Sequence, residues 1–196
     1  MRAMTTSNSE RAAARTKTIM RATLALAQEG GYAALSMEAV AARAGVGKHT
    51  IYRRWPSKGL LFLDSLLTLN EPALDYPDTG DVMADLRRQA HAAVDLLGSP
   101  PWGPLYRSLV GEAQHDPLIA AGLNERFVRP QTEKTFARLS AAQEQGQIAE
   151  DYDIGLGMAI LSGPLYYRLL ITDEPLTHAY VDQVLEALFA GMRPRT

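Results

Sequence analysis

Twenty-three residues, Ser36 to Lys58 (SMEAVAARAGVGKHTIYRRWPSK), constrain this chain more than any other stretch. Met37, Val40, Ala41 and Ala44 follow the i, i+3, i+4, i+7 spacing of an amphipathic helix. Ser36 stands where an N-cap is needed, and Glu38 lies in the first turn, where the helix dipole favours an acid. Gly45 ends that helix. A second one runs from about Gly47 to Arg54 and closes ahead of Pro56, because a proline disfavours helical geometry at the preceding Trp55. It is too short to be stable alone. Two brief helices around a tight Ala44-Gly45-Val46 turn have the outline of a helix-turn-helix, in which one helix braces across a nucleic-acid backbone and the other enters the major groove. On the second helix Ile51 and Trp55 are four apart and can face a core. Lys48, His49, Tyr52 and Arg53 form two adjacent i, i+4 rows on another face.

The charge distribution agrees with that outline. The chain of 196 residues carries 20 Lys/Arg and 22 Asp/Glu, a net charge of −2. The first sixty residues hold ten of the basic side chains and three acids (Glu10, Glu29 and Glu38), a net +7, which leaves −9 for the rest. A basic head joined to an acidic body suggests a polyanion-binding part and a part with another task.

Helical periodicity continues along the chain, and no convincing period-2 strand interrupts it. Residues 1 to about 14 are polar and aperiodic and read as a flexible arm. From Thr16 the residues Ile19, Ala22, Thr23 and Leu26 mark a helix that Gly30-Gly31 stops. Ser57 can cap a fourth helix that reaches roughly Thr68. Glu71 to Gly80, with two prolines, reads as a link. Further helices are expected over about 81–97, 103–114, 117–145, 153–171 and 177–191, with Pro130 kinking the longest and Gly163-Pro164 bending the next. The expected architecture is all-α: an arm over 1–14, a four-helix head over 15–70, and a body of five or six helices over 71–196.

Several chemistries are excluded. With 0 Cys there are no disulfides, thiolate nucleophiles or cysteine-ligated metals, and an intracellular, cytoplasmic setting is permitted. The longest uncharged run, Ile154–Tyr167, is 14 residues and contains Gly163-Pro164, too short and broken to span a bilayer. The N-terminus lacks the apolar stretch of a secretory signal. Gly45–Thr50 has the look of the end of a phosphate-binding loop, but Ala42 and His49 stand where glycine and Ser/Thr are required. Gly155-x-Gly157 lacks a third glycine and a preceding strand. Ser162 has Ile160 and Pro164 where a nucleophile elbow needs glycines. His49, His91, His115 and His178 are scattered, so no metal site and no cofactor is expected. Asp151 and Asp153, ahead of a helical run, read as capping or dipole-pairing acids rather than a catalytic pair. No enzyme activity is expected, the alternative being an all-α enzyme or ligand carrier that kept a vestigial head.

From about Arg15 to Leu66 the chain resembles the DNA-binding domain of TetR-type (tetracycline-repressor-like) transcriptional regulators. The resemblance is carried by Gly30-Gly31-Tyr32, Ser36-Met37-Glu38-Ala39-Val40-Ala41, Ala44-Gly45-Val46 and Thr50-Ile51-Tyr52-Arg53-Arg54-Trp55-Pro56-Ser57-Lys58. The stretches Gly163–Arg168 and Glu174–Thr177 resemble the C-terminal region of one subgroup. The resemblance implies base contacts at Lys48 and His49, contact with backbone and base methyls at Tyr52, and phosphate contacts at Ser36, Thr50 and Lys58. Gly47 and Arg53 complete the expected DNA-binding set. Two departures stand out: His49 occupies an often small position, and Gly59 an often acidic one.

The same resemblance implies a homodimer, reading a near-palindromic double-stranded operator through two heads and released by a small apolar effector. A dimer seam is expected from the last two helices, through Leu165, Tyr166, Leu169, Val181, Val184, Leu185, Leu188 and Phe189. An apolar effector pocket is expected from Met83, Trp102, Tyr106, Phe127, Phe136, Met158 and Tyr167.

Overall fold

The structure, a computed structural model, describes residues 3–69, 77–172 and 174–192. Among them are ten α-helices, one π-helical turn and no strand, so the chain is all-α as expected. The expected link over residues 71–80 lies mostly outside the described residues. Two compact units emerge. The first joins the N-terminal helices to Pro104–Leu123, and the second comprises the remainder of the C-terminal part together with the stretch up to Gly103. The expected boundary was a single one near residue 70; by packing, Pro104–Leu123 groups with the first unit.

In the N-terminal unit, α1 is helical from Ala3, where an arm was expected, and is assigned to Ala34. The alanines between Arg11 and Arg15 are strong helix formers. Thr16 and Thr18 donate their hydroxyls back to the carbonyls of Ala12 and Ala14. The regular helix breaks at Gly31, whose φ of 74° suits glycine, so the expected stop stands where the sequence put it. Next come α2 (Met37–Ala44), α3 (Lys48–Tyr52) and α4 (Lys58–Leu69). Ser36 Oγ accepts from Ala39 N at 3.1 Å, and Gly45, at φ 65°, closes α2 with bonds from its own N–H and that of Val46 to the carbonyls of Ala42 and Ala41. Ser57 Oγ likewise accepts from Leu60 N.

The core of this unit is built from Ile19, Val40, Ile51, Trp55, Leu61, Phe62 and Leu66, all buried. After α6 (Trp102–Ala113), helix α7 (Pro117–Leu123) explains why Pro104–Leu123 groups here. Ile119 presses on Gly59 so closely that a Cβ there would collide with it, and Leu63 does the same at Gly122. The glycine at the often-acidic position thus lets Ile119 approach α4 closely.

The second unit contains α5 (Val82–Gly98), the π-turn Asn124–Val128, α8 (Arg129–Glu144), α9 (Ile154–Leu170) and α10 (His178–Met192). The helix expected over 117–145 is divided: α7 gives way to the π-turn, and α8 restarts with Pro130 in its first turn, where a missing N–H costs nothing. Helix α9 passes through Pro164 as one element. Asp81 and Asp153 cap α5 and α9 through their carboxylates. Leu86, Ala90 and Val94 of α5 pack with Leu139 of α8, Leu161 and Leu165 of α9, and Val181, Leu185 and Leu188 of α10.

That packing corrects the expected dimer seam. Leu165, Leu169, Val181, Leu185, Leu188 and Phe189 are all buried within this one chain, and Tyr166 and Val184 are half-buried. The apolar stripe was real, but it faces the unit's own core. The outward apolar side chains of α9 are instead Leu156, Ile160, Tyr167 and Leu170, followed by Ile171 just beyond the helix.

A charged cluster is also buried in this unit. Arg138 donates through Nε and Nη2 to Asp85 Oδ2 at 2.8 and 2.6 Å, and Thr79 Oγ1 donates to the other oxygen at 2.7 Å. Arg138 is 5% and Asp85 1% exposed. Burial alone would push the Asp85 carboxyl up, but the hydrogen bonds from Thr79 and Arg138 outweigh it and hold it below its ordinary value.

Candidate nucleic-acid interface and effector cavity

Helix α3 has only five residues and owes its position to its neighbours. Ile51 is fully buried and Trp55 nearly so, and the indole Nε1 donates to Asp64 Oδ2 at 2.8 Å. These anchors turn the opposite face outward. Lys48, His49 and Arg53 are exposed, Tyr52 is 47% exposed, and Thr50 is half-buried. A large aromatic standing half in water, flanked by three cationic or hydrogen-bonding side chains, is what insertion into a groove requires.

The remaining expected residues fall around this helix. Gly47 supplies the extended residue that starts α3. Ser36 is committed to its capping bond, and Lys58, half-buried at the start of α4, holds its ammonium 4.6 Å from the centre of the Tyr32 ring. Burial pushes the Tyr32 phenol up to about 12, reinforced by the negative charge of Glu112.

Two features of the face were not singled out from the sequence. Lys48 Nζ is paired with Glu38 Oε1 at 2.9 Å, and this bond lowers the Glu38 carboxyl below its ordinary value. The i, i+10 spacing gives no helical signal for such a pair. Arg15 and Thr16 of α1 meet Arg53 and Arg54 around a cleft of about 210 Å³. There Arg54 Nη1 donates to Thr16 Oγ1 at 3.2 Å and its guanidinium lies 5.1 Å from the Trp55 ring. The charge count of the first sixty residues contained these arginines without locating them.

The second unit holds a cavity of about 190 Å³ between α5, α8 and α9, with the π-turn closing one side. Of the residues expected to form a pocket, Phe127 and Met158 line it. The others do not. Trp102 is buried with its ring edge-on to Phe127 at 6.1 Å, and Tyr106 is fully buried in a segment that belongs to the N-terminal unit. Met83 packs on the core, while Phe136 and Tyr167 are about half exposed. Leu165 and Tyr166, expected at a dimer seam, line the cavity instead.

Among the described residues no cluster of three or more His, Asp or Glu could hold a metal ion, and no helix is long and apolar enough to cross a membrane. The histidines do not gather at either site. His91 and His178 stack at 4.1 Å, with Nε2 of each at an aspartate, Asp182 and Asp95 respectively.

Comparison with known proteins matches residues 19–64 to the family described as bacterial regulatory proteins, tetR family, and residues 76–188 to the tetracyclin repressor-like C-terminal domain. An uncharacterised HTH-type transcriptional regulator of Bacillus subtilis, YdeS, is 31% identical over 90% of this chain and 89% of its own. The DNA-binding transcriptional repressor TetR of Mycobacteroides abscessus is 30% identical over 84% of this chain and 86% of its own. Among solved structures, the TetR family transcription regulator SCO0332 superposes with a TM-score of 0.71 at 38% identity, covering 90% of this chain and 97% of that one. The regulator FadR of Bacillus subtilis in complex with stearoyl-CoA shares the fold, with a TM-score of 0.69 at 19% identity over 90% of this chain and 98% of that one.

Proposed function

The chain belongs to the TetR family of bacterial transcriptional regulators, and we propose that it represses transcription from the cytoplasm as a homodimer that holds a near-palindromic operator through two copies of α3. The observation that carries this reading is the two-sidedness of α3: Ile51 and Trp55 at 0% and 3% exposure behind, Lys48, His49, Tyr52 and Arg53 exposed in front. Lys48 and His49 are the base-reading pair, Tyr52 packs on backbone and base methyls, and Thr50, Ser36 and Lys58 meet phosphates. Arg15 and Arg54, flanking the same face, add sequence-independent attraction.

One head reads only a few base pairs, and phosphate contacts alone do not discriminate between sequences. A two-fold dimer doubles the readout and adds a spacing test. The outward stripe Leu156, Ile160, Tyr167 and Leu170 on α9 supplies an apolar surface for self-association. The cavity of the second unit takes a small effector, which acts by binding better to a conformation whose heads no longer fit the groove spacing, with no chemistry on the effector. The stearoyl-CoA bound by FadR lends support, since it places a small-molecule ligand on a protein of this fold.

Gel shifts with the intergenic DNA ahead of its own gene, combined with sedimentation of the free protein, test this reading. A dimer that shifts one discrete fragment is expected, and Ile160→Glu should yield monomers that no longer shift it at the same concentration. A monomeric wild-type protein, or equal affinity for all fragments, would overturn it.

A further inference from the structure

Resting on the effector reading above, we infer that the molecule filling the cavity between α5, α8 and α9 is uncharged, about the size of one or two small rings, and carries a hydrogen-bond donor that meets Gln131. Three observations point there. The fifteen side chains around the cavity include no Asp, Glu, Lys, Arg or His. A carboxylate or ammonium entering it would shed its hydration and meet no opposite charge, a cost that only pairing can offset. The buried pair of the unit, Arg138 with Asp85, does not line the cavity.

The second observation is an imbalance of hydrogen bonding. Gln131 lines the cavity from α8, and its side-chain carbonyl Oε1 is buried without a hydrogen-bond partner. Its neighbour Thr135 uses its hydroxyl to donate to the Gln131 backbone carbonyl at 2.9 Å, so that proton is not available to Oε1. Buried acceptors are satisfied in nearly all native structures, and one left over on a cavity wall calls for a donor from what fills the space. A hydroxyl or a neutral N–H supplies it.

The third is size. At about 190 Å³ the space modestly exceeds the 150 Å³ or so known to take a benzene molecule. Met158, Leu161 and Leu165 form its apolar side, so a compact ring with one polar end fits, donor toward α8 and ring toward α9.

The test uses the full-length protein and three probes of one shape: 4-ethylphenol, which is neutral with a donor, 4-ethylanisole, neutral without one, and 4-ethylbenzoate, an anion. Calorimetric titration at neutral pH should show the phenol binding about tenfold tighter than the anisole, with no heat from the benzoate. Gln131→Leu should bring phenol and anisole to parity without abolishing either. Ala93→Phe, which fills the cavity, should remove binding of both while the helical circular dichroism of the folded protein is kept.

Benzoate binding as tightly as the phenol would overturn the claim of neutrality. An unchanged phenol-to-anisole ratio in Gln131→Leu would overturn the role of Gln131. If Ala93→Phe leaves binding intact, or no probe binds at millimolar concentration, the cavity is not the effector site and the underlying reading fails with it.

Discussion

In the N-terminal unit the groups that would meet DNA stand outside a fold that is complete without them. In the second unit the candidate site exists only because α5, α8 and α9 leave the space between them unfilled. The first is made of exposed charge and one aromatic on a five-residue helix, held from behind by Ile51 and Trp55. The second joins core side chains such as Ala90, Leu161 and Leu165 to partly exposed polar ones and a single unsatisfied amide. The difference teaches where binding and stability can be separated: substitutions on the face of α3 change contacts without touching the core, whereas the walls of the cavity include core side chains.

The sharpest way to break this contrast is through the buried pair of the second unit. Asp85→Asn leaves the Arg138 guanidinium buried against a neutral partner and should cost about 3–5 kcal/mol, read from the urea midpoint. The pair also sets a pH dependence. Because the folded carboxyl lies below its unfolded value near 3.9, its stabilisation is present in full above about pH 5 and is lost as pH falls through the folded value. The wild type should therefore lose stability in acid more steeply than Asp85→Asn. A cost under about 1 kcal/mol would mean the cluster is hydrated.

Next in size is Gly59→Ala in the N-terminal unit. Replacing glycine in a helix ordinarily gains up to about 1 kcal/mol. Here the added methyl meets Ile119, and overpacking should reverse the sign to a net loss of about 1–2 kcal/mol. A gain would show that Ile119 moves aside freely.

Smaller effects belong to the DNA face. Lys58→Ala should weaken binding to all sequences alike and reduce the salt slope of log affinity by about one. Glu38→Gln should act in the opposite direction, because its carboxylate occupies Lys48 and repels phosphate. Binding should tighten by about twofold at low salt and be unchanged at high salt. An effect of Glu38→Gln that persists at high salt would assign Glu38 a direct base contact.

What could be read from the sequence divides along the same line. Ser36, Gly45 and Pro56 act on their own turn of chain, so both helices of the motif and the turn between them were legible, and so was the exposed face of α3. The stop at Gly31 was legible for the same reason. Residues whose roles depend on what covers them were not. The stripe Val181, Leu185, Leu188 has the right period for a helix face, but period does not say whether that face meets its own chain or another, and in the structure it meets α5 and α9. Phe136 and Tyr167 were sensible pocket candidates by type, yet they turn outward. Gln131 could be found only once three helices had placed it on a cavity wall. The polar stretch before Thr16 misled because its alanines and back-bonding threonines favour helix despite its lack of apolar rhythm.

Anisotropy titrations of a footprinted operator and a scrambled duplex, with Tyr52→Ala and Lys48→Ala beside the wild type, probe the central assignment most directly. About a tenfold loss is predicted for the operator in each variant, with a smaller loss for scrambled DNA and unaltered thermal midpoints. Wild-type operator affinity in both variants would contradict the placement of α3 against the bases.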